Sequence, residues 1–218
     1  MLSFPVNAEV SGPVEEALVE VRPGASGNGE EGQVAGSREF SIVLSINDFR
    51  DSQGSRGKAP RVAYLGLGSN LGDRTDGLSR AVAWLERAGL PAVLRSSIYR
   101  TEPVEVVDQD EFLNQVIGCK TPHSPEEVLA LCLAVEREMG RVRAGHKGPR
   151  VIDLDLLLMG SEVRSAAGIH LPHPRMHLRR FVLVPLAEIA SEARHPVFGL
   201  TVADLLARCP DRSRVERL

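Results

Sequence analysis

Cysteine is scarce in this 218-residue chain: Cys119, Cys132 and Cys209 are odd in number, widely spaced, set in apolar surroundings and without a CxxC pair. That pattern argues against a disulfide framework and predicts three reduced core residues. No run of 18 apolar residues occurs, and Met1–Val10 has neither a basic start nor a long apolar stretch. Both absences speak against a membrane span or a signal peptide and predict a cytoplasmic protein with no membrane partner. Aromatics make up only 4% of the chain, few for stacking on bases, and nucleic acid is not the expected partner.

Positive charge is also scarce, except in one place. Residues 141–180 hold eight basic side chains against three acidic ones, whereas residues 1–140 hold 13 against 21. The excess is therefore local, and it implies an anionic ligand rather than a general solubility device. The length fits one domain of about 150 residues with extra segments. Residues 1–60 contain two low-complexity breaks, 24–36 and 52–60, and are expected to be a poorly ordered extension and linker ahead of a domain over 61–218.

Within that domain, 62–67 reads as a strand ending at Gly68, and 73–89 as a helix with Leu78, Ala81, Val82 and Leu85 on its apolar stripe and Asp73 as its cap. Strands follow at 93–99 and 112–120, joined by a long polar loop. Ser124-Pro125-Glu126-Glu127 then opens a helix with Val128, Leu131, Val135 and Met139 on its stripe, stopped by Gly140. A last apolar strand covers 152–159. The order predicts an α+β fold with a ferredoxin-like β-α-β-β-α-β core, an antiparallel sheet and a C-terminal α/β addition: a turn at 171–174, an apolar segment at 181–189 and a short helix near 200–206.

The last strand organises the chemistry. Strand alternation sends Ile152, Leu154 and Leu156 to one face and Asp153 and Asp155 to the other. Two carboxylates roughly 7 Å apart repel by about 2 kcal/mol at an effective dielectric of about 20. Two readings are open: an edge strand whose acids are solvated or paired with Arg, or a magnesium site completed by substrate phosphates. The glycine turn 66–72 could be taken for a dinucleotide site, but a lone turn followed by a polar hairpin rather than a crossover helix is a weak signal for one.

Several stretches, taken in order, carry a resemblance: Ala63 to Arg74 (AYLGLGSNLGDR), Ser97 to Pro103 (SIYRTEP), Phe112-Leu113-Asn114, Gly140-Arg141-Val142-Arg143, Gly148-Pro149-Arg150 with Asp153-Leu154-Asp155, and Leu171-Pro172-His173-Pro174 with Arg179 and Phe181. Together they resemble 6-hydroxymethyl-7,8-dihydropterin pyrophosphokinase of folate biosynthesis, over roughly residues 61–210. The resemblance implies transfer of diphosphate from ATP to the pterin hydroxymethyl group with AMP leaving, by an enzyme expected to act as a monomer on two small substrates.

It also implies roles. Asp153 and Asp155 would hold two Mg²⁺; Arg141 and Arg150 would meet transition-state charge from a mobile lid over 141–150; Glu136, Arg143, His173 and Arg179 would bind ATP. Phe112 and Phe181 would stack on the pterin, with Thr101, Val104 and Asn114 reading its edge and Asn70 counted in the same pterin site, either positioning that loop or satisfying the glycine turn. The chain departs from the family's usual residues at Glu105, Leu133 and Lys147. The competing reading is a non-catalytic ferredoxin-like module that binds a nucleotide without turning it over.

Overall fold

The computed structural model describes residues 61–103, 110–140, 150–166 and 168–218. The N-terminal extension, Val104, Arg141, Arg143, Lys147 and most of the expected lid lie outside the described residues.

The core runs β1 (Arg61–Ser69), α1 (Arg74–Arg87), β2 (Ala92–Arg95), β3 (Tyr99–Thr101), β4 (Phe112–Thr121), α2 (Pro125–Glu138) and β5 (Asp153–Met159). All pairings in the main sheet are antiparallel, in the order β5-β1-β4-β3, with β2 also paired to β4. The fold is α+β. Asp73 caps α1 by accepting the Asp76 amide, and Ser124 and Glu127 close a reciprocal capping box on α2, as their sequence positions dictate. Both predicted stripes are buried. They pack with Leu65, Leu67, Leu154 and Leu156 in a core on one face of the sheet.

The expected second strand is split. Ser96 and Ser97 interrupt it because the Ser96 hydroxyl accepts the Val116 amide at 3.0 Å and donates to the Ser97 carbonyl, so side-chain bonds replace part of the ladder. The two halves, β2 and β3, sit along different parts of β4.

Beyond the core come a hairpin, β6 (Arg164–Ala166) and β7 (Ile169–Leu171), a 3-10 turn at Met176–Leu178, α3 (Arg180–Ala190), α4 (Val202–Arg208) and β8 (Val215–Arg217). The hairpin lies ahead of the turn expected at 171–174 and meets it only at Leu171. β8 adds to the sheet edge beside β3. Helices α3 and α4 form a second core with Val116, Leu157 and Leu158 on the opposite face of the sheet. The three cysteines are free and buried, and burial pushes the Cys119 thiol up to about 12, which keeps it protonated and inert. Among the described residues no helix is long and apolar enough to cross a membrane.

Candidate active site

The site lies on the sheet face that carries α3, near the end of β1 and the starts of β4 and β5. Gly68 pairs with Asp153 on one side and Asn114 on the other, and Gly66 pairs with Asp155 and Val116. Directly opposed residues share a face, so Asp153, Asp155, Asn114 and Phe112 all project to the side of Leu157 and Val116. The two aspartates are half-buried, and Ile152, Leu154 and Leu156 behind them are buried. The alternation read from sequence therefore holds.

Gly68 matters here for its missing side chain. A Cβ at that position would lie 3.0 Å from Asn114 Oδ1 and 4.0 Å from Phe112. The missing side chain thus lets the Asn114 amide lie close over the strand between it and Asp153. Asn114 donates through Nδ2 to the Thr101 hydroxyl at 2.7 Å, and both residues are buried. That bond fixes which way the amide faces, leaving its carbonyl toward Gly68.

Charge gathers around the acids. Arg150 Nη1 lies 2.5 Å from Asp153 Oδ2, and its backbone amide is accepted by the Asn70 side chain at 2.7 Å while the Asn70 amide donates back to the Arg150 carbonyl at 3.1 Å. Buried Asn70 therefore ties the β1–α1 turn to the chain entering β5. Glu136 is buried on α2, and its Oε1 accepts the Leu154 amide at 2.7 Å. Glu136 is thus not a solvated surface carboxylate.

His173 follows the cis Leu171–Pro172 peptide. Its backbone amide donates to the Leu157 carbonyl, and its Nδ1 accepts the Arg175 amide at 3.3 Å, which leaves the proton of the neutral ring on Nε2. Burial pushes His173 down to about 4, the charges of Arg179 and Arg175 push the same way, and Asp153 opposes them. The Arg179 guanidinium stands 5.6 Å from the centre of the Phe181 ring, within cation–π range. Phe181 opens α3, and among the described residues no ring contact joins it to Phe112.

The structure thus groups Asp153, Asp155, Arg150, Asn70 and Glu136 around the start of β5, and Thr101, Asn114 and Phe112 across the end of the sheet. His173, Arg179 and Phe181 come from the segment after β7. Sequence reasoning gave Gly68 and Arg175 no role in the site; the pairing of Gly68 with both Asp153 and Asn114 is a tertiary fact with no local signal. A pocket of about 460 Å³ lined by Arg61, Tyr64, Leu158 and Arg194, among others, lies toward the other end of β1 and contains none of the candidate residues.

Among the described residues no cluster of three or more His, Cys, Asp or Glu gathers for a metal. Two carboxylates on one face, with a side-chain-free glycine strip beside them, nevertheless fit a hard cation that takes its remaining ligands from phosphate and water.

The sequence profile of the 7,8-dihydro-6-hydroxymethylpterin-pyrophosphokinase family matches residues 64–191. The chain is 46% identical over 132 residues to the 2-amino-4-hydroxy-6-hydroxymethyldihydropteridine pyrophosphokinase of Bacillus subtilis, covering 60% of this chain and 79% of that protein. It is 45% identical over 157 residues to the same-named protein of Methylorubrum extorquens, covering 72% and 98%. The crystal structure of wild-type HPPK-DHPS from Plasmodium falciparum with pteroate shares the fold at a TM-score of 0.56 and 13% identity, covering 70% of this chain and 45% of that one. The chain therefore spans less than half the length of that protein.

Proposed function

The chain belongs to the 7,8-dihydro-6-hydroxymethylpterin-pyrophosphokinase family, and from that premise we propose that it transfers diphosphate from ATP to the hydroxymethyl group of 6-hydroxymethyl-7,8-dihydropterin. The pterin hydroxyl oxygen forms a bond to the β-phosphorus, the bond from that phosphorus to the bridging oxygen of the α-phosphate breaks, AMP leaves with the bonding pair, and the hydroxyl proton is released. Such a step needs alignment and charge compensation more than a covalent nucleophile.

The observation that carries the reading is the placement of Asp153 and Asp155 on one face, beside Gly68 and within reach of Arg150. Asp153 and Asp155 would hold two Mg²⁺, which when bound neutralise the triphosphate and favour an in-line approach. Arg150, paired with Asp153 here, would offer its guanidinium to a phosphate oxygen. Arg141 and Arg143 belong to the same basic segment and add charge from the proposed lid. Arg179 binds phosphate, and His173, neutral at pH 7, donates Nε2–H to a phosphate oxygen without adding charge.

On the acceptor side Asn114, oriented by Thr101, reads the pterin edge, Val104 supplies backbone contacts, and Phe112 and Phe181 enclose the ring faces. Asn70 acts by holding Arg150. The strand order and all-antiparallel pairing support the ferredoxin-like assignment of the core. We further take the enzyme to act as a cytoplasmic monomer, with 61–218 as its catalytic domain.

The deciding experiment mixes the purified chain with ATP, Mg²⁺ and the hydroxymethyl-dihydropterin and identifies the nucleotide product. AMP in equal amount to pterin diphosphate supports the proposal; ADP overturns it, and ATP binding without turnover leaves the non-catalytic module.

A further inference from the structure

Glu188, near the end of α3, receives more partners than any surface carboxylate needs. It accepts the Ser97 amide at 2.9 Å, the Ser97 hydroxyl at 2.8 Å and the Tyr99 hydroxyl at 2.9 Å, and Arg217 of β8 stands 3.6 Å away. Burial raises its pKa, but these donors outweigh burial and hold it below the usual carboxylate value. Three separate elements, α3, β3 and β8, meet on this one side chain.

What it joins is informative. Phe181 precedes Glu188 by seven residues, about two helical turns, so both lie along one side of α3 and about 10 Å apart on its axis. Pro185 lies between them and lacks the N–H that would bond the Phe181 carbonyl, which weakens the ladder that would otherwise fix Phe181. On the sheet, Tyr99 is opposite Asn114, and Thr101, two residues on, holds the Asn114 amide. The helix bearing the stacking ring and the strand bearing Thr101, which holds the Asn114 amide of β4, are therefore pinned to each other at Glu188. The start of α3 has its own tether, the Asp211 carboxylate accepting the Arg180 amide at 2.8 Å.

We infer that Glu188 is a positioning residue for pterin recognition: through Ser97 and Tyr99 it sets the spacing between Phe181 and the Thr101–Asn114 pair. It touches neither substrate. The inference rests on the pterin site proposed above, and it predicts a defect larger for that substrate than for ATP, because Asp153, Arg150 and His173 are held by other bonds.

The test compares wild type with E188A, E188Q and Y99F for steady-state kinetics, equilibrium binding of the pterin and of a non-hydrolysable ATP analogue, and thermal midpoint. Removing several charge-assisted hydrogen bonds at a partly solvated site should raise the pterin KM and Kd in E188A by about three- to tenfold, with ATP-analogue affinity within about twofold and a smaller change in kcat. E188Q keeps an acceptor for Ser97 and should recover most of the affinity; Y99F, which loses one bond, should fall between. Should E188A fail to fold, the Y99F and E188Q values carry the comparison. Unchanged pterin affinity in folded variants, or equal weakening of both substrates, overturns the inference. A wild-type protein that binds no pterin instead overturns the site on which the inference is built.

Discussion

Glu136 Oε1 accepts the amide of Leu154 at 2.7 Å, at the residue between the two aspartates. Since β5 is the outer strand of the sheet, this carboxylate on α2 does the work of a missing neighbour strand and holds the peptide that aims Asp153 and Asp155. E136A leaves a buried amide without that acceptor and should cost about 1–3 kcal/mol. E136Q retains an acceptor oxygen and should cost less than half as much. Urea unfolding of the two variants, with exchange of the Leu154 amide, measures the difference. If E136Q keeps wild-type stability but loses ATP affinity, the charge of Glu136 serves the nucleotide directly.

Asp153 and Asp155 share a face, and Asp153 is paired with Arg150. D153A and D155A should each lower turnover by two or more orders of magnitude, on the order of the losses seen when transition-state charge goes uncompensated. Both variants should still fold, because the cores are built from the neighbouring leucines. Far-UV circular dichroism and Mg²⁺ titration by calorimetry check fold and metal binding apart from activity. A variant of normal turnover would remove the metal assignment.

Much of this was legible from the chain, and the gaps have physical causes. Stripes such as Val128, Leu131, Val135 and Met139 reported their burial directly, and strand alternation put both aspartates on one face. Glu136 offered a signal that was not taken: four residues after Cys132 and eight after Val128, it falls on the buried stripe, where a carboxylate requires a partner. The break at Ser96 depends on a hydroxyl finding the Val116 amide across the sheet, which no local pattern encodes. Strand β8 is three residues long and mostly polar, and it forms only because β3 leaves an edge beside it. Thr101, Asn114 and Phe181 were reached through family resemblance, since periodicity alone assigns such residues to the core.

Stability should fall in acid through the histidines. His173 is pushed down to about 4 by burial and by Arg179 and Arg175, and burial also lowers His177 and His195. Their unfolded value is about 6.5. A lowered folded pKa means that the unfolded chain binds more protons between these limits, so stability declines as pH drops below about 6.5, and these groups add no slope above about pH 7. For His173 the loss reaches at most on the order of 3 kcal/mol by pH 4. Urea midpoints from pH 5 to 7 should slope downward into acid, and H173N should flatten the slope. Equal slopes in both proteins would exclude His173 as a titrating group.

Gly68 and Gly66 lie two residues apart on β1 and face the same side, yet an added methyl group meets different neighbours. At Gly66 a Cβ would contact Leu157 at 3.5 Å, an ordinary packing distance, whereas at Gly68 it would press on Asn114 Oδ1 at 3.0 Å. Asn114 cannot retreat without stretching its 2.7 Å bond to Thr101, so G68A should disturb the amide rather than the core. G66A should hold its thermal midpoint to within a few degrees, a change on the order of 0.5 kcal/mol. G68A should weaken pterin binding by about tenfold or more for a cost in stability of about 1 kcal/mol, close to the worth of one strained hydrogen bond. Calorimetric titration of both variants with the pterin decides it: equal affinities would mean that the space over Gly68 is not where the ring edge is read.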